Sequence, residues 1–409
     1  MKAVIISIGD ELLTGQTVDS NSANLAARLT ERGIIPLAHW TVGDDIKQIS
    51  DAIRRASQTY ELVLVTGGLG PTADDLTRQA LAEAMGTQLQ LDPKSLAQIE
   101  AFFLARGRSM NETNRIQAMV PIGAKALPNP IGTAPGLSAN LGLAQVFVMP
   151  GVPAEMRSMF VQEIAPLLPE GKRTTVIRQL HTFGEGESDI AARIADLMDR
   201  SANPLVGTTV RDGVVSIRVI ATGPDASGAD LSAETACAEI RRRLGGLVFG
   251  QDSQTLASVV GQQLRRLNQS LATAESCTGG LLGELITAEP GASDYYIGGA
   301  VAYSNRLKTE FLGVEPILLE RHGAVSEQVA RAMAEGARCR FSSDWALSIT
   351  GIAGPAGGSA DRPVGLVFLG LAGHNGTTAD QLLLGGDREM VRIRSALAAL
   401  NKLRIMIGL

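Results

Sequence analysis

An unbroken apolar run, Ala3–Ile8, opens the chain, and two more follow it, Leu62–Val65 and Val146–Val148. Each runs into a loop rich in glycine or proline: "IGDELLTG", "TGGLGPTADD" and "MPGVPAEM". Strands that are apolar at every position, and not at alternate ones, are buried on both faces. Between them the spacing changes to that of a helix. Leu25, Ala26 and Leu29 share one face and Gly33 closes that segment. Ile46, Ile49 and Ile53 repeat the pattern, and "TADDLTRQALAEAMG" supplies a third helix. Strand, loop and helix in repetition predict an α/β domain over residues 1–170, with a mostly parallel sheet covered on both faces.

Near Lys172 the rhythm changes. "TTVIRQLHTFG" reads as a strand, "ESDIAARIADLMD" as a helix, "VVSIRVIATG" as a strand, "TGPDASGAD" as a loop and "ADLSAETACAEIRRRLG" as a second helix. Together they predict a small two-layer α+β unit over residues 171–250, a spacer or dimerisation module. From Gln251 the helix "LASVVGQQLRRLNQ" leads into "SLATAESCTGG", and α/β alternation resumes over residues 251–409.

Composition narrows the possible functions. The 409 residues are 45% apolar and 19% charged, enough for several cores. A net charge of −5 without a dense basic stretch argues against direct nucleic-acid binding. No span approaches the ~18 apolar residues of a membrane helix. The apolar part of "MKAVIISIGDELL" is too short for a signal peptide. A soluble, cytoplasmic protein is expected. Cys237, Cys277 and Cys339 form no CxxC, and the four histidines are scattered. Any metal would therefore depend on carboxylates.

In an open parallel sheet, ligands gather at the carboxyl ends of the strands. The three loops of the first domain place Gly9, Gly67, Gly68, Gly70, Pro150 and Gly151 there, and two of them add carboxylates: Asp10 and Glu11, Asp74 and Asp75. Glycine lets backbone N–H groups approach a phosphate closely, but a carboxylate beside such a nest repels it. A divalent cation between them removes the conflict. Asp and Gly also serve simply as turn and cap formers. The recurrence of both at several strand ends points to a nucleotide or pyrophosphate site with a metal.

In the third region "AESCTGG" offers Ser276, Cys277, Thr278 and Gly279, while the following segments offer Ser293, Tyr303, Asn305 and Lys308. "SITGIAGPAGG" brings Thr350, Gly351 and Gly354, and "LGGDREMVRIR" brings Arg388. No histidine lies in these segments, which argues against a histidine-based triad. Lysine acts as a base when burial lowers its pKa, and tyrosine can relay a proton. Ser/Tyr/Lys is the available constellation. The 350–358 loop would supply N–H donors to an oxyanion or phosphate, and Arg388 would pair with a phosphate. Cys277 has no cation beside it in sequence to form a thiolate, which leaves two serines. Ser293, nearer in sequence to Tyr303 and Lys308, is slightly favoured as nucleophile. Ser276 then becomes its orienting partner in a glycine-ended cradle suited to an anion.

"IGDELLTGQTVDSNSANLAARL", "VTGGLGPTADDLT", "MNETNRIQAMVP", "MPGVPAEM", "AESCTGGLL", "GGAVAYSNRLK", "GAVSEQVARAMAEGAR", "TGIAGPAGG" and "GGDREMVR" together resemble the competence/damage-inducible CinA family over nearly the whole chain. The resemblance implies a molybdopterin-binding-like first domain, a KH-type middle module and a C-terminal nicotinamide-mononucleotide amidohydrolase domain. It implies hydrolysis of nicotinamide mononucleotide to nicotinic acid mononucleotide and ammonia, with no cofactor. It also implies cleavage of ADP-ribose in the first domain with a divalent metal of the Mg²⁺ or Co²⁺ class, and a homodimer. Carried over by position, the amidase residues are Ser276, Ser293, Tyr303, Lys308, Thr350 and Arg388. The acidic positions of the first domain fall at Asp44 or Asp45 and at Asp75. The chain departs from the family pattern at Glu185 in "FGEGES", and at Arg362 and Leu366 in "DRPVGLVF". Two other readings stand beside this one: a first domain that binds molybdopterin or a nucleotide without catalysis, and an interaction protein of DNA uptake or recombination.

Overall fold

The computed structural model describes residues 1–169 and 174–409. The expected boundary at 170/171 and the change of rhythm at Lys172 lie outside the described residues. The chain divides into two compact units, residues 1–176 with 222–230, and residues 177–221 with 231–409.

The first unit begins with β1 (Ala3–Ile8), α1 (Asp10–Leu13), α2 (Ser20–Glu31), β2 (Pro36–Val42), α3 (Ile46–Thr59), β3 (Leu62–Thr66) and α4 (Thr77–Met85). After β4 (Leu89–Leu91) and α5 (Pro93–Leu104) come β5 (Met119–Pro121), β6 (Lys125–Leu127), β7 (Gly136–Leu141), β8 (Ala144–Met149) and α6 (Pro153–Met159). Six strands form one sheet in the order β2-β1-β3-β8-β7-β6. The first four run parallel, while β7 and β6 return antiparallel. The continuous apolar strands have the predicted cause. Alternate residues of β1 enter opposite cores: Val4, Ile6 and Ile8 pack with Ile49 and Ile53 of α3, and Ala3 and Ile5 with Leu25 and Leu29 of α2. Edge strand β2 is not continuously buried, and its exposed positions alternate.

The middle module contains β9 (Thr174–Phe183), α7 (Glu187–Arg193), β10 (Leu205–Arg211), β11 (Val214–Gly223), α8 (Ala226–Leu244) and β12 (Val248–Gln251), with sheet order β10-β11-β9-β12. Strand β10 was not anticipated. The loop expected over Thr222–Asp230 is shorter than predicted, because α8 starts at Ala226.

The C-terminal region runs α9 (Leu256–Leu267), β13 (Leu271–Glu275), α10 (Leu281–Thr287), β14 (Tyr296–Val301), α11 (Asn305–Glu310), α12 (Pro316–His322), α13 (Glu327–Phe341), β15 (Trp345–Gly351), β16 (Leu366–Gly373), β17 (Gly376–Leu383) and α14 (Arg388–Met406). The sheet order is β14-β13-β15-β16-β17. Strands β14, β13 and β15 are parallel, but β16 and β17 form an antiparallel hairpin, so the alternation does not persist to the end. Helices α9, α10 and α14 cover one face around Leu271, Leu347 and Leu369; α13 covers the other around Ala272, Ala274 and Ala346. Among the described residues no helix is long and apolar enough to cross a membrane.

Candidate functional site

Strand β13 ends at Glu275, and the chain turns into α10. The turn is fixed by its own residues. Ser276 N–H donates to the Ile349 carbonyl at 2.9 Å, which holds the turn against the end of β15. The Glu275 carboxylate, 2% exposed, accepts from Gly280 N, Leu282 N and Gly283 N at 3.0, 3.0 and 2.8 Å. These are the orphan donors of the α10 N-terminus. The anion cradle expected in "AESCTGG" is therefore filled by the protein's own side chain.

Ser276 faces Lys308 on α11. The ammonium is 1% exposed and donates to Ser276 Oγ at 3.0 Å, to the Ala302 carbonyl at 2.9 Å and to the Tyr303 carbonyl at 3.4 Å. It has no carboxylate partner among the described ion pairs. Burial pulls its pKa below the ordinary lysine value. When Lys308 is neutral, the two carbonyls occupy its two hydrogens and its lone pair is left facing Ser276 Oγ. That is the geometry a serine nucleophile and a lysine general base would need.

Ser293, favoured by its closeness in sequence, is not part of this pair. Strands β13 and β14 are parallel, with Leu271 beside Tyr296 and Glu275 beside Val301. Ser276 follows the C-terminal end of β13, whereas Ser293 precedes β14 and is exposed at the opposite edge of the sheet. The length of the strand, roughly 16 Å at 3.3 Å per residue, separates them. Tyr303 also differs from expectation. Its side chain is exposed, and its hydroxyl accepts from Arg388 Nη2 at 3.3 Å. Only its carbonyl meets Lys308, so it is not placed to relay that proton.

Arg388 opens α14, behind the Asp387 cap. Its Nη1 donates to the Gly354 carbonyl at 2.7 Å. The guanidinium thus joins Tyr303 to the 350–355 loop and stays exposed to solvent. Thr350 is fully buried and donates to the Ala324 carbonyl at 2.7 Å, and Gly351 lies in β15 against Val367. Burial pushes the Cys277 thiol up to about 11, so it is a thiol at neutral pH. Thr278 is fully buried, and its hydroxyl has no partner among the described residues. Its carbonyl accepts from Arg392, a residue that the sequence reading missed. Gly279 completes the turn, donating to the Ser276 carbonyl. Asn305 is exposed at the start of α11 and lines a shallow depression with Arg306, Thr309 and Glu320.

In the first unit a cleft lies at the carboxyl ends of β1, β3 and β8, lined by Ser7, Glu11, Asp19, Asn21, Thr66, Gly67 and Gly151 among others. Asn21 was missed in the sequence. It donates from Nδ2 to Thr66 Oγ1 and to the Gly151 carbonyl, tying α2 to two strand ends. Gly67 is required, since its φ is +111° and a Cβ would lie 2.3 Å from the Ile8 carbonyl. Gly9 donates to the Val42 carbonyl, and the Pro150 carbonyl accepts from Thr66.

The expected carboxylates divide into two sets. Asp45 caps α3 through Gln48 N. Asp75 accepts from Gly70 N and Thr72 N inside its own loop, and the buried Arg78 donates to the Leu69 and Gly70 carbonyls beside it. The Gly68 N-terminal neighbour of this loop is held by Thr77, whose hydroxyl bonds the Gly67 carbonyl. Asp10 and Asp44 accept from each other's backbone N–H. Burial and the charges of Asp10, Glu11 and Asp74 raise the Asp44 carboxyl above its ordinary range. Among the described residues no three His, Cys, Asp or Glu converge to hold a metal. A Mg²⁺-like ion would have to take its remaining ligands from phosphate oxygens, and Asp10 and Asp44 are the carboxylates that would be available to it.

Residues 4–170 match the probable molybdopterin binding domain, 177–250 the damage-inducible protein CinA KH domain and 253–407 the CinA C-terminal domain. A CinA-like protein of Geobacter metallireducens is 43% identical over 99% of this chain and 98% of its own. One from Synechococcus sp. (strain RCC307) is 44% identical over 98% of each. The crystal structure of a competence/damage inducible protein from Agrobacterium tumefaciens is 39% identical, covering 38% of this chain and 94% of that one, with a TM-score of 0.37. With the same three domains in the same order and relatives matched from end to end, the chain belongs to the CinA family.

Proposed function

We propose that the C-terminal domain hydrolyses the carboxamide of nicotinamide mononucleotide, giving nicotinic acid mononucleotide and ammonia. The carrying observation is the buried Lys308 Nζ at 3.0 Å from Ser276 Oγ, with two carbonyls fixing its remaining hydrogens. Ser276 Oγ attacks the carboxamide carbon while its proton passes to Lys308. The C–N bond breaks as Lys308 returns that proton to the departing ammonia, leaving an ester on Ser276. Water attacks the ester, Lys308 takes its proton and passes it to Ser276 Oγ as the ester C–O bond breaks, and the acid and the serine hydroxyl are released. Arg388, exposed and bonded to the Gly354 carbonyl and the Tyr303 hydroxyl, pairs with the 5′-phosphate. Ammonia release from nicotinamide mononucleotide, compared with a Ser276→Ala variant, tests the reading; equal release from both overturns it.

For the first domain we propose metal-dependent cleavage of the ADP-ribose pyrophosphate. Support comes from the cleft at the strand ends, lined by Gly67 and Gly151 with the carboxylates of Glu11 and Asp19, and from the Asp10–Asp44 pair, which is next in sequence to Glu11 but does not itself line that cleft. A divalent ion held by Asp10 and Asp44 would neutralise phosphate charge. The cleft measures about 130 Å³, room for a phosphoryl group and less than the ~300 Å³ usual for a whole ligand. The rest of the nucleotide would extend into solvent or against a second protomer of a homodimer. AMP release from ADP-ribose, with and without Mg²⁺ or Co²⁺, distinguishes hydrolysis from binding alone.

A further inference from the structure

Arg392 lies one helical turn beyond Arg388, on the same face of α14. Its Nε and Nη2 both donate to one acceptor, the Thr278 carbonyl, at 3.2 and 2.7 Å. Among the described residues it forms no ion pair. Its Nη2 also lies 3.8 Å from where a Cβ on Gly279 would stand, so the guanidinium packs on the turn that carries Ser276. Across the same turn, the Glu275 carboxylate holds the amides of Gly280, Leu282 and Gly283. The carbonyl side of the turn is thus held by a cation and its N–H side by an anion. Ser276 N–H is fixed by the Ile349 carbonyl. Very little freedom remains in the backbone that aims Ser276 Oγ.

We infer that Arg392 is a positioning residue: it fixes the 276–280 turn so that Ser276 Oγ stays at hydrogen-bond distance from Lys308. This rests on the amidase reading for its substrate, but not for its geometry. Arg392 reaches the reacting atoms only through the turn, so its loss affects turnover and not substrate binding. A misplacement of the nucleophile by ~1 Å costs roughly 10²-fold in rate. The Arg392→Met variant should therefore lose roughly 10- to 100-fold in kcat while KM for nicotinamide mononucleotide stays within about twofold. Arg392→Lys, which keeps a single donor, should recover part of the loss. An assay independent of substrate accompanies this one: the rate at which a small fluorophosphonate modifies Ser276, followed by intact-protein and peptide mass spectrometry. That rate should fall in parallel with kcat, and Arg392→Lys should restore it in part.

If Arg392→Met lowers Tm while kcat and labelling stay at wild-type values, the residue is merely structural and the inference is overturned. If KM rises with kcat unchanged, Arg392 binds substrate and the inference is also overturned. If the wild-type protein releases no ammonia, the amidase reading fails, and the labelling rates still decide the role of Arg392. Glu275→Gln tests the opposite side of the turn by the same labelling measurement and should also slow it; unchanged labelling in both variants removes the two-sided clamp.

Discussion

Replacing Lys308 by Met probes the proposed reaction most directly. The side chains have similar length, so the substitution removes the ammonium without opening a large cavity. Lys308 is asked to move a proton four times: from Ser276, to ammonia, from water and back to Ser276. A positioned acid–base group contributes ~10²–10⁴-fold. A group used in every step belongs at the upper end, and ~10⁴-fold in kcat corresponds to about 5 kcal/mol of barrier. Stability should change far less. The variant leaves the Ala302 and Tyr303 carbonyls without their donor, at ~1–3 kcal/mol each. It also removes the cost of burying a charge that has no counter-ion, which acts in the opposite direction. The pH dependence has a definite sign. Burial holds the folded pKa of Lys308 below the ordinary lysine value of 10.5, and the neutral form is the base, so kcat should rise with pH through a single ionisation below 10.5. Between the folded pKa and 10.5 the unfolded chain binds more protons than the folded one, so wild-type stability rises across that window. The charge-burial cost is fully present below it and gone above it. Kinetics of ammonia release and Tm, both across pH, check the two effects. A Lys308→Met variant within tenfold of wild type, or one with the wild-type pH profile, refutes the assignment.

Four other outcomes are expected. Ser276→Ala should abolish ammonia release, while Ser293→Ala should leave kcat/KM within about twofold, since its strand end lies across the sheet. Arg388→Gln should raise KM for nicotinamide mononucleotide by roughly 10- to 100-fold, the loss of one charge-assisted phosphate pair; nicotinamide riboside, lacking the phosphate, should show no such change. Iodoacetamide at neutral pH should modify exposed Cys339 well before Cys277, whose thiol is pushed up to about 11; peptide mapping reads the order. Asp75→Ala should lower stability by ~1–3 kcal/mol through the amides of Gly70 and Thr72, as measured by urea unfolding with Mg²⁺ absent.

Much of the scaffold was legible because burial on two faces leaves a local mark. Ala3–Ile8 and Leu62–Thr66 could be read as central strands since each side chain has a core to enter. The α3 stripe of Ile46, Ile49 and Ile53 was equally local. Chemistry was legible only as a set of residue types. Lys308 and Ser276 lie 32 positions apart and meet because parallel strands β13 and β14 end at the same sheet edge. Ser293 lies closer to Lys308 in sequence, yet strand polarity carries it away. The sheet's final hairpin escaped notice because β16 is as apolar as a parallel strand. Glu275, Arg392, Asn21 and Arg78 carry no sequence mark of their task, since each bonds backbone atoms whose positions depend on the folded loops.

The two loops stapled from within make mutational scans of this protein easy to misread. In one, Asp75 holds amides and Arg78 holds carbonyls; in the other, Glu275 and Arg392 divide the same work. All four are charged and brace a loop at the carboxyl end of a strand, and replacing any of them by alanine should reduce activity. A screen that scores only product would group them with the proposed base and nucleophile. What separates them is that the damage lies in the shape of a loop, so a cross-link or cyclised peptide that restores that shape can compensate for the missing charge. No such brace replaces Lys308.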